Sequence, residues 1–346
     1  MQKAFPNASG NFSRHLNTFA GFICGIVGSR SCQLPHIAKG SPGAAKPESR
    51  ERRLRRWLEN AGISADAYFL PFARSLLCSL AHLPLVLVMD GSTVGRGCVS
   101  LMVALIYKKR ALPIAWIVNK GKKGHFPESL HIALIKEVQA LIPDGASVVL
   151  LGDGEFDGID LQAIVNGWEW EYVCRTARSI TLYFEGEPFH FGALAEATKC
   201  GECIGVPDVL FTHGKYGPVL AVSWWRKDCK EPICLISNMR SHEDACQFYE
   251  KRFRIETFFS DQKSRGFNLH RSHISNPGRL RRLMIAACLA YYWMVYLGDM
   301  ALRNGMNKIV HRTDRCDLSL FQLGLRLLDY LLNEGLSIPV AFLPLC

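Results

Sequence analysis

Along the first 80 residues the apolar positions recur at helical spacing. Leu16, Phe19, Ile23, Ile26 and Val27 form one stripe and predict a first amphipathic helix. Residues 40–48 (GSPGAAKPE) are turn formers and break the pattern. Beyond them Leu54, Trp57, Leu58 and Ala61 share one face of a second helix, with Ser49 expected as its cap and Gly62 past its end. From residue 83 the pattern turns to strands. Leu83–Met89, Cys98–Tyr107 and Ala111–Val118 are β-type runs, and two of their connections are short enough for antiparallel neighbours. A helix over Pro127–Leu141, a wholly apolar strand Ser147–Leu151, a helix near Asp160–Asn166 and a strand Glu169–Arg175 follow.

Three antiparallel strands followed by alternating helix and strand is the order of a ribonuclease-H-like α/β fold. Residues 176–240 then break the alternation with short strand-like runs (ITLYF, PFHFG, VLAVSWW, ICLIS) separated by Gly, Pro and Lys, which predicts a β-rich insertion. From Ser241 the pattern is helical again. The expected organisation is a helical, basic N-terminal region (1–80), a core in two parts (81–175 and 241–302) around the insertion (176–240), and a C-terminal tail (303–346). No internal repeat is present.

Two apolar runs bear on the membrane question. Residues 19–27 (FAGFICGIV) lack the charged lead and cleavage site of a signal peptide. Residues 283–298 stop at Asp299, short of the roughly 20 needed to span a bilayer, and predict a buried helix. Thirteen irregularly spaced cysteines, several in apolar runs (Cys98, Cys174, Cys288), suit buried thiols in a reducing compartment. The one Cys-x-x-Cys, Cys200 to Cys203, has no second ligand pair beside it for zinc. The expectation is a cytoplasmic protein with no membrane partner. A formal net charge of +10 favours a polyanionic partner, nucleic acid first. Arg50, Arg52, Arg53, Arg55 and Arg56 crowd one helix with Glu51 and Glu59 as the nearby acids. That face is either solvated or a phosphate-contacting surface, with Arg52, Arg53 and Arg56 as candidate DNA contacts.

Phosphodiester cleavage with two metal ions needs a few converging carboxylates, and magnesium prefers oxygen ligands. Asp90 follows the apolar run LPLVLVM and Asp153 follows SVVLLG, so both are expected at strand ends facing one crevice. Each also precedes Gly, as an ordinary Asp-Gly turn would. In FYEKRFRIETFFSDQK a helix at about 100° per residue places Tyr249, Arg252, Glu256 and Lys263 on a stripe about 60° wide. Glu250 and Asp261 point elsewhere. The stripe suits a metal ligand beside groups that grip phosphate, or an amphipathic helix with an i,i+4 Arg252–Glu256 pair.

The spacing Tyr-x2-Arg-x3-Glu-x6-Lys resembles the signature of the DDE transposases of bacterial insertion-sequence family four. Asp90 in VMDGS and Asp153 in GDGEFDG resemble that family's two earlier acidic motifs. The resemblance covers residues 83–300 well and the first 80 loosely. It implies that Asp90, Asp153 and Glu256 are catalytic and bind magnesium, with manganese as a substitute. It implies too that Tyr249, Arg252 and Lys263 hold phosphates of the element's end. The implied partner is double-stranded DNA, both element ends and target, with a homodimer when two ends are synapsed. The implied activity is cleavage at the ends and joining of 3′-hydroxyls to target DNA. The alternatives are a ribonuclease-H-like nuclease without strand transfer and a transposase-derived DNA-binding protein. An aromatic that stacks on a flipped end base is expected before the strand CLIS, where Ile233 stands; Trp224 and Trp225 are the nearest aromatics. Asp157 is expected as a supporting acceptor. The loop Gly121-Lys122-Lys123-Gly124-His125 is either a phosphate contact or a solvated loop.

Overall fold

A computed structural model describes residues 10–122, 124 and 126–340. The Lys123 and His125 positions of the basic loop therefore lie outside the described residues. The described residues begin with five helices: α1 (Gly10–Ser29), α2 (Leu34–Gly40), α3 (Pro47–Glu59), α4 (Ala65–Tyr68) and α5 (Leu70–Leu80). The expected stripe of α1 is buried, and its Phe19 and Phe22 pack with Trp57 of α3 and Tyr68 of α4 in one aromatic cluster, Phe19 stacking on Trp57 at 5.4 Å. Ser49 is not the cap of α3. The helix starts three residues earlier, with Lys46 at the cap position and Pro47 in the first turn, where a missing N–H costs nothing.

Next come β1 (Leu85–Gly95), β2 (Cys98–Tyr107) and β3 (Arg110–Lys120), then α6 (Glu128–Gln139), β4 (Val148–Gly152), α7 (Ile159–Gly167) and β5 (Glu171–Arg175). β1 to β3 form an antiparallel meander, and β4 and β5 run parallel to β1, in the sheet order β3-β2-β1-β4-β5. This is the ribonuclease-H-like core. β4 is buried at every residue, as expected of a strand covered on both faces.

The remaining strands are β6 (Thr181–Phe184), β7 (Glu187–His190), β8 (Cys203–Phe211), β9 (Tyr216–Trp224) and β10 (Ile233–Ser237), with α8 (Phe191–Ala197) between β7 and β8. They do not form a sheet of their own. β10 pairs antiparallel with β5, so the core sheet continues through β10, β9, β8, β6 and β7 to ten strands. β8 has no clean alternation in sequence because Pro207 and Asp208, the latter at φ +56°, form a bulge where the register with β9 shifts.

The chain then returns across one face of the sheet. α9 (His242–Glu250) packs over β5, β8 and β9, and α10 (Arg254–Gln262) over β1 to β3, with a 3-10 turn at Lys251–Phe253 between them. α11 (Pro277–Arg303) follows, then α12 (Asn307–Val310) and α13 (Leu320–Asn333). α11 is long and apolar enough to cross a membrane, yet 89% of its most apolar window is buried against the rest of the fold, as a core helix would be. It receives α1, β3 and α13. The segment expected as a tail thus carries α13, whose Leu323, Leu327, Leu328 and Leu331 are buried.

α11 and α13 touch backbone to backbone at Gly298 and Gly324. A methyl group on Gly324 would lie 1.8 Å from the Met294 carbonyl oxygen, and one on Gly298 would lie 1.9 Å from that of Leu320. Gly324→Ala therefore has to spread the two helices, at a cost of about 1–3 kcal/mol. A control is Gly167→Ala at the exposed end of α7, where an added methyl meets nothing within 4 Å. The expected result is a lower urea midpoint for Gly324→Ala than for wild type or the control; equal midpoints for Gly324→Ala and wild type would contradict this packing.

Candidate active site

Asp90 does not end its strand. β1 runs on to Gly95, and the pair Asp90–Gly91 lies inside the β1–β2 ladder opposite Met102 and Leu101. An Asp-Gly turn is therefore excluded at this position. What ends near Asp90 is the neighbour on the other side: the β1–β4 pairing stops at Val88 opposite Leu151, and Asp153 follows two residues beyond Leu151 as Asp90 follows two beyond Val88. The two acids leave the parallel pair at the same level. Asp153 does act as a turn former as well, since its Oδ1 accepts the Glu155 N–H at 3.0 Å.

Alternation along β1 sends Asp90 and Ser92 to the face covered by α9 and α10, and Gly91 to the opposite face. There the Phe126 ring leaves no room for a side chain, a Cβ on Gly91 falling 2.9 Å from it. On the α9–α10 face Asp90 is only 2% exposed. Its Oδ2 lies 3.6 Å from Nη1 of Arg252, whose Nη2 donates to Oε1 of Glu256 at 3.1 Å. One guanidinium thus bridges two of the three acids. Lys263 reaches the same strand and donates from Nζ to Ser92 Oγ at 2.7 Å.

The helix expected through Tyr249–Lys263 is not continuous. The 3-10 turn at Lys251–Phe253 winds by about 120° per residue instead of 100°, and Lys263 lies just past the end of α10. Arg252 is consequently buried in the turn, while the Glu256 side chain remains 56% exposed. Asp261 points away from this group and pairs with Arg110 of β3 at 3.2 Å. Glu250 is exposed. Tyr249 is buried, its ring beneath the Arg252 guanidinium at 5.8 Å, and its hydroxyl has no hydrogen-bond partner among the described residues. Burial pushes its phenol up to about 12, against the opposing pull of Arg252 and Arg175.

Of the neighbouring residues, Glu155, Thr176 and Phe253 were not singled out by the sequence. Glu155 accepts the Phe126 N–H at 2.9 Å and so ties the loop after β3 to the Asp153 turn. Asp157, expected as a supporting acceptor, takes a hydrogen bond from Thr176 Oγ1 at 2.6 Å at the end of β5; burial raises its carboxyl above the usual range. Phe253 is 38% exposed, with the Arg252 guanidinium 4.4 Å from its ring centroid. Ile233 is buried at the start of β10, and Trp225 donates its indole N–H to the Cys229 carbonyl. Trp224 is half-buried beneath Arg226. The motif GDGEFDG could have suggested Glu155 by its position, but its partner is 29 residues away in sequence.

The oxygen donors of Asp90, Asp153 and Glu256 suit magnesium in kind. Among the described residues, however, no three His, Cys, Asp or Glu side chains are grouped closely enough to hold a metal ion. Arg252 stands between Asp90 and Glu256, paired with both. Glu256 is the exposed member of the set, its side chain 56% exposed.

Beside the Asp153 turn lies a buried neutral imidazole. His131 of α6 is 2% exposed, its ring centroid 4.7 Å from that of Phe156 and its Nε2 4.0 Å from Glu155 Oε1. Burial lowers it to about 4, with Asp153 pulling the other way. A depressed histidine contributes stability that is full above the unfolded value near 6.5 and is lost as pH falls toward the folded value. Over that interval the loss is on the order of 3 kcal/mol. Chemical denaturation between pH 7 and 4 should show this slope in wild type and a flatter one in His131→Leu; identical slopes would exclude His131 as its source.

The chain matches the family model described as "Transposase DDE domain" over residues 86–293. No curated protein sequence matches it. Among solved structures it is similar to a piggyBac transposase synaptic complex with hairpin DNA, at 12% identity, 97% of this chain, 76% of that chain and a TM-score of 0.49. It is also similar to the catalytic domain of human endonuclease V, at 14% identity, 78% of this chain, 98% of that chain and a TM-score of 0.27. The matched segment runs from the second residue of β1 into α11, taking in all three acids and every strand of the sheet. The chain belongs to the transposase DDE domain family.

Proposed function

We propose that this transposase belongs to insertion-sequence family four and that it cleaves DNA at the ends of its element and joins the 3′-hydroxyls to target DNA. The observation that carries this reading is the Arg252 bridge between buried Asp90 and Glu256, beside an Asp153 that leaves β4 level with Asp90. A surface ion pair would account for Arg252 and Glu256 alone. It would not account for a carboxylate in the middle of a sheet strand, which is costly to bury and needs a partner to stay charged.

Asp90, Asp153 and Glu256 are the residues that would hold magnesium, or manganese in its place. Bound there, the ions supply polarisation of the scissile phosphate and a nucleophile activated at neutral pH. The chain's own groups do the rest. Arg252 offers a fork of donors that suits phosphate oxygens as well as carboxylates, and a phosphate entering the site competes with Glu256 for it. Lys263, held at Ser92, places a point charge along the same strand edge. Tyr249 keeps its proton at neutral pH and can only donate or accept a hydrogen bond there, so it positions rather than acts as a base.

Binding of double-stranded DNA would extend over the N-terminal helices. An open groove of about 450 Å³ lies between α1 and α3, lined among others by Arg14, His15, Arg53, Arg56 and Asn60. Arg52, Arg53 and Arg56 are exposed. Arg55 is paired with Glu51 and Arg50 with the Ser41 carbonyl, which leaves the other three better suited to phosphate. Synapsis of two ends would bring two copies of the chain together on DNA.

The test is cleavage of end-containing DNA with magnesium, read on gels. Asp90→Asn, Asp153→Asn and Glu256→Gln should each lower cleavage by at least about a hundredfold, since a lost ligand costs no less than a lost supporting group. If Glu256→Gln cuts like wild type, that residue is misassigned. Cut but unjoined products would make the protein a nuclease; binding without cutting would make it a regulator. Separately, Arg53→Ala/Arg56→Ala should weaken DNA binding without regard to sequence and reduce the salt slope of log K by about 0.9 for each phosphate no longer neutralised. An unchanged slope would remove these arginines from the interface.

A further inference from the structure

Outside the acidic site, the structure brings two thiols together across the fold. Cys203 begins β8 and Cys246 lies in the middle of α9, 43 residues later. Their sulfurs are 2.9 Å apart, and both cysteines are free. The approach is built into the packing of α9 on β8. Gly205, two residues along the same face of β8, meets His242, one helical turn before Cys246; a Cβ on Gly205 would fall 2.7 Å from that of His242. The glycine lets the helix lie close to the strand, and the two cysteines fill the next point of contact. Cys203 is half-buried and Cys246 is buried.

We propose that Cys203 and Cys246 form a redox-active pair that closes to an intramolecular disulfide under a peroxide or a disulfide oxidant. A disulfide holds its sulfurs about 2.05 Å apart, so closure needs about 0.9 Å of movement, within reach of side-chain rotation. The chemistry has a direction. The two thiols share one S–H hydrogen bond, and this sharing lowers the Cys203 thiol below its ordinary value and raises that of Cys246. Cys203 is also the more accessible of the two, so it is the one to react first. With hydrogen peroxide, the Cys203 thiolate takes one oxygen to become a sulfenic acid and releases hydroxide. The Cys246 thiol then displaces that oxygen as water, and its proton leaves with it. Two electrons pass from the thiols to one peroxide. In a reducing compartment a pair of this kind is closed only transiently.

The bond would join the strand that follows Cys200-Gly201-Glu202 to the helix that carries Tyr249 and leads to Arg252. The thiol facing Cys203 is that of Cys246, not that of Cys200 in the same Cys-x-x-Cys; Cys200 is exposed on the turn before β8. This makes the pairing a specific prediction, since the local motif alone would favour the other bond.

The experiment uses the reduced full-length chain, treated with hydrogen peroxide or oxidised glutathione, alkylated and mapped by mass spectrometry. The expected product is a linked Cys203–Cys246 peptide that dithiothreitol reverses. It should persist in Cys200→Ser, vanish in Cys246→Ser, and form faster in the folded chain than in urea. The melting temperature should rise on oxidation in wild type and Cys200→Ser but not in Cys246→Ser. A Cys200–Cys203 link in its place, full alkylation of both thiols after excess oxidant, or equal rates in folded and unfolded chains would each overturn the proposal.

Discussion

A carboxylate in the middle of a buried strand has to be compensated, and much of this fold is arranged so that Asp90 is. Its strand is paired on both sides up to Val88, then only with β2, and the opening left by the end of β4 is covered by the helices that return over the sheet. Arg252 arrives there from the 3-10 turn between α9 and α10. The turn is part of the solution. A continuous α-helix would carry position 252 round with the rest of the stripe; tighter winding over three residues sets the guanidinium down into the sheet while Glu256 stays at the surface. Two ordinary helices joined by one tighter step are thus what lets a single arginine serve a buried acid and an exposed one.

The same covering requirement explains the extended sheet. In a core that ended at β5, that strand would present an unpaired edge, and β10 closes it by pairing antiparallel. The insertion is therefore not an appendage. It supplies the neighbour of β5, and α9 lies across the join between the two halves, touching β4 and β5 on one side and β8 and β9 on the other. Residues 176–240 are separate in sequence pattern but continuous in hydrogen bonding with the core.

The core order was legible because each strand is a run of apolar or β-branched residues with short connections, and register follows once β1 to β3 form a meander. Glu256 could be told from Glu250 and Asp261 by helical angle alone, and those three do part company: one reaches Arg252, one is exposed, one pairs with Arg110. What could not be read depends on contacts between distant positions. The continuation of β1 beyond Asp90 depends on β2 supplying hydrogen bonds where β4 no longer does. The Glu155 tie to Phe126 and the Thr176 bond to Asp157 join residues far apart in sequence. α13 has a strong apolar stripe of its own, but its place is set by two glycines on two helices that meet only in three dimensions.

These constraints also separate residues whose loss would be structural from those whose loss would be chemical. Asp90 and Arg252 are both buried, and deleting either takes the opposite charge away from a buried ion, at a cost of about 3–5 kcal/mol. Inactivity after such a change would mix unfolding with lost chemistry. Asp153 is only partly buried, but its carboxylate also holds the turn that positions Glu155 and, through it, the loop at Phe126. Glu256 differs from all three. More than half of its side chain faces solvent, and its partner Arg252 keeps Asp90 if Glu256 is removed. A neutral residue at 256 therefore leaves the buried pair intact and takes away one exposed carboxylate. The acid that the helix geometry singled out is also the one whose removal speaks to chemistry with least disturbance of the fold.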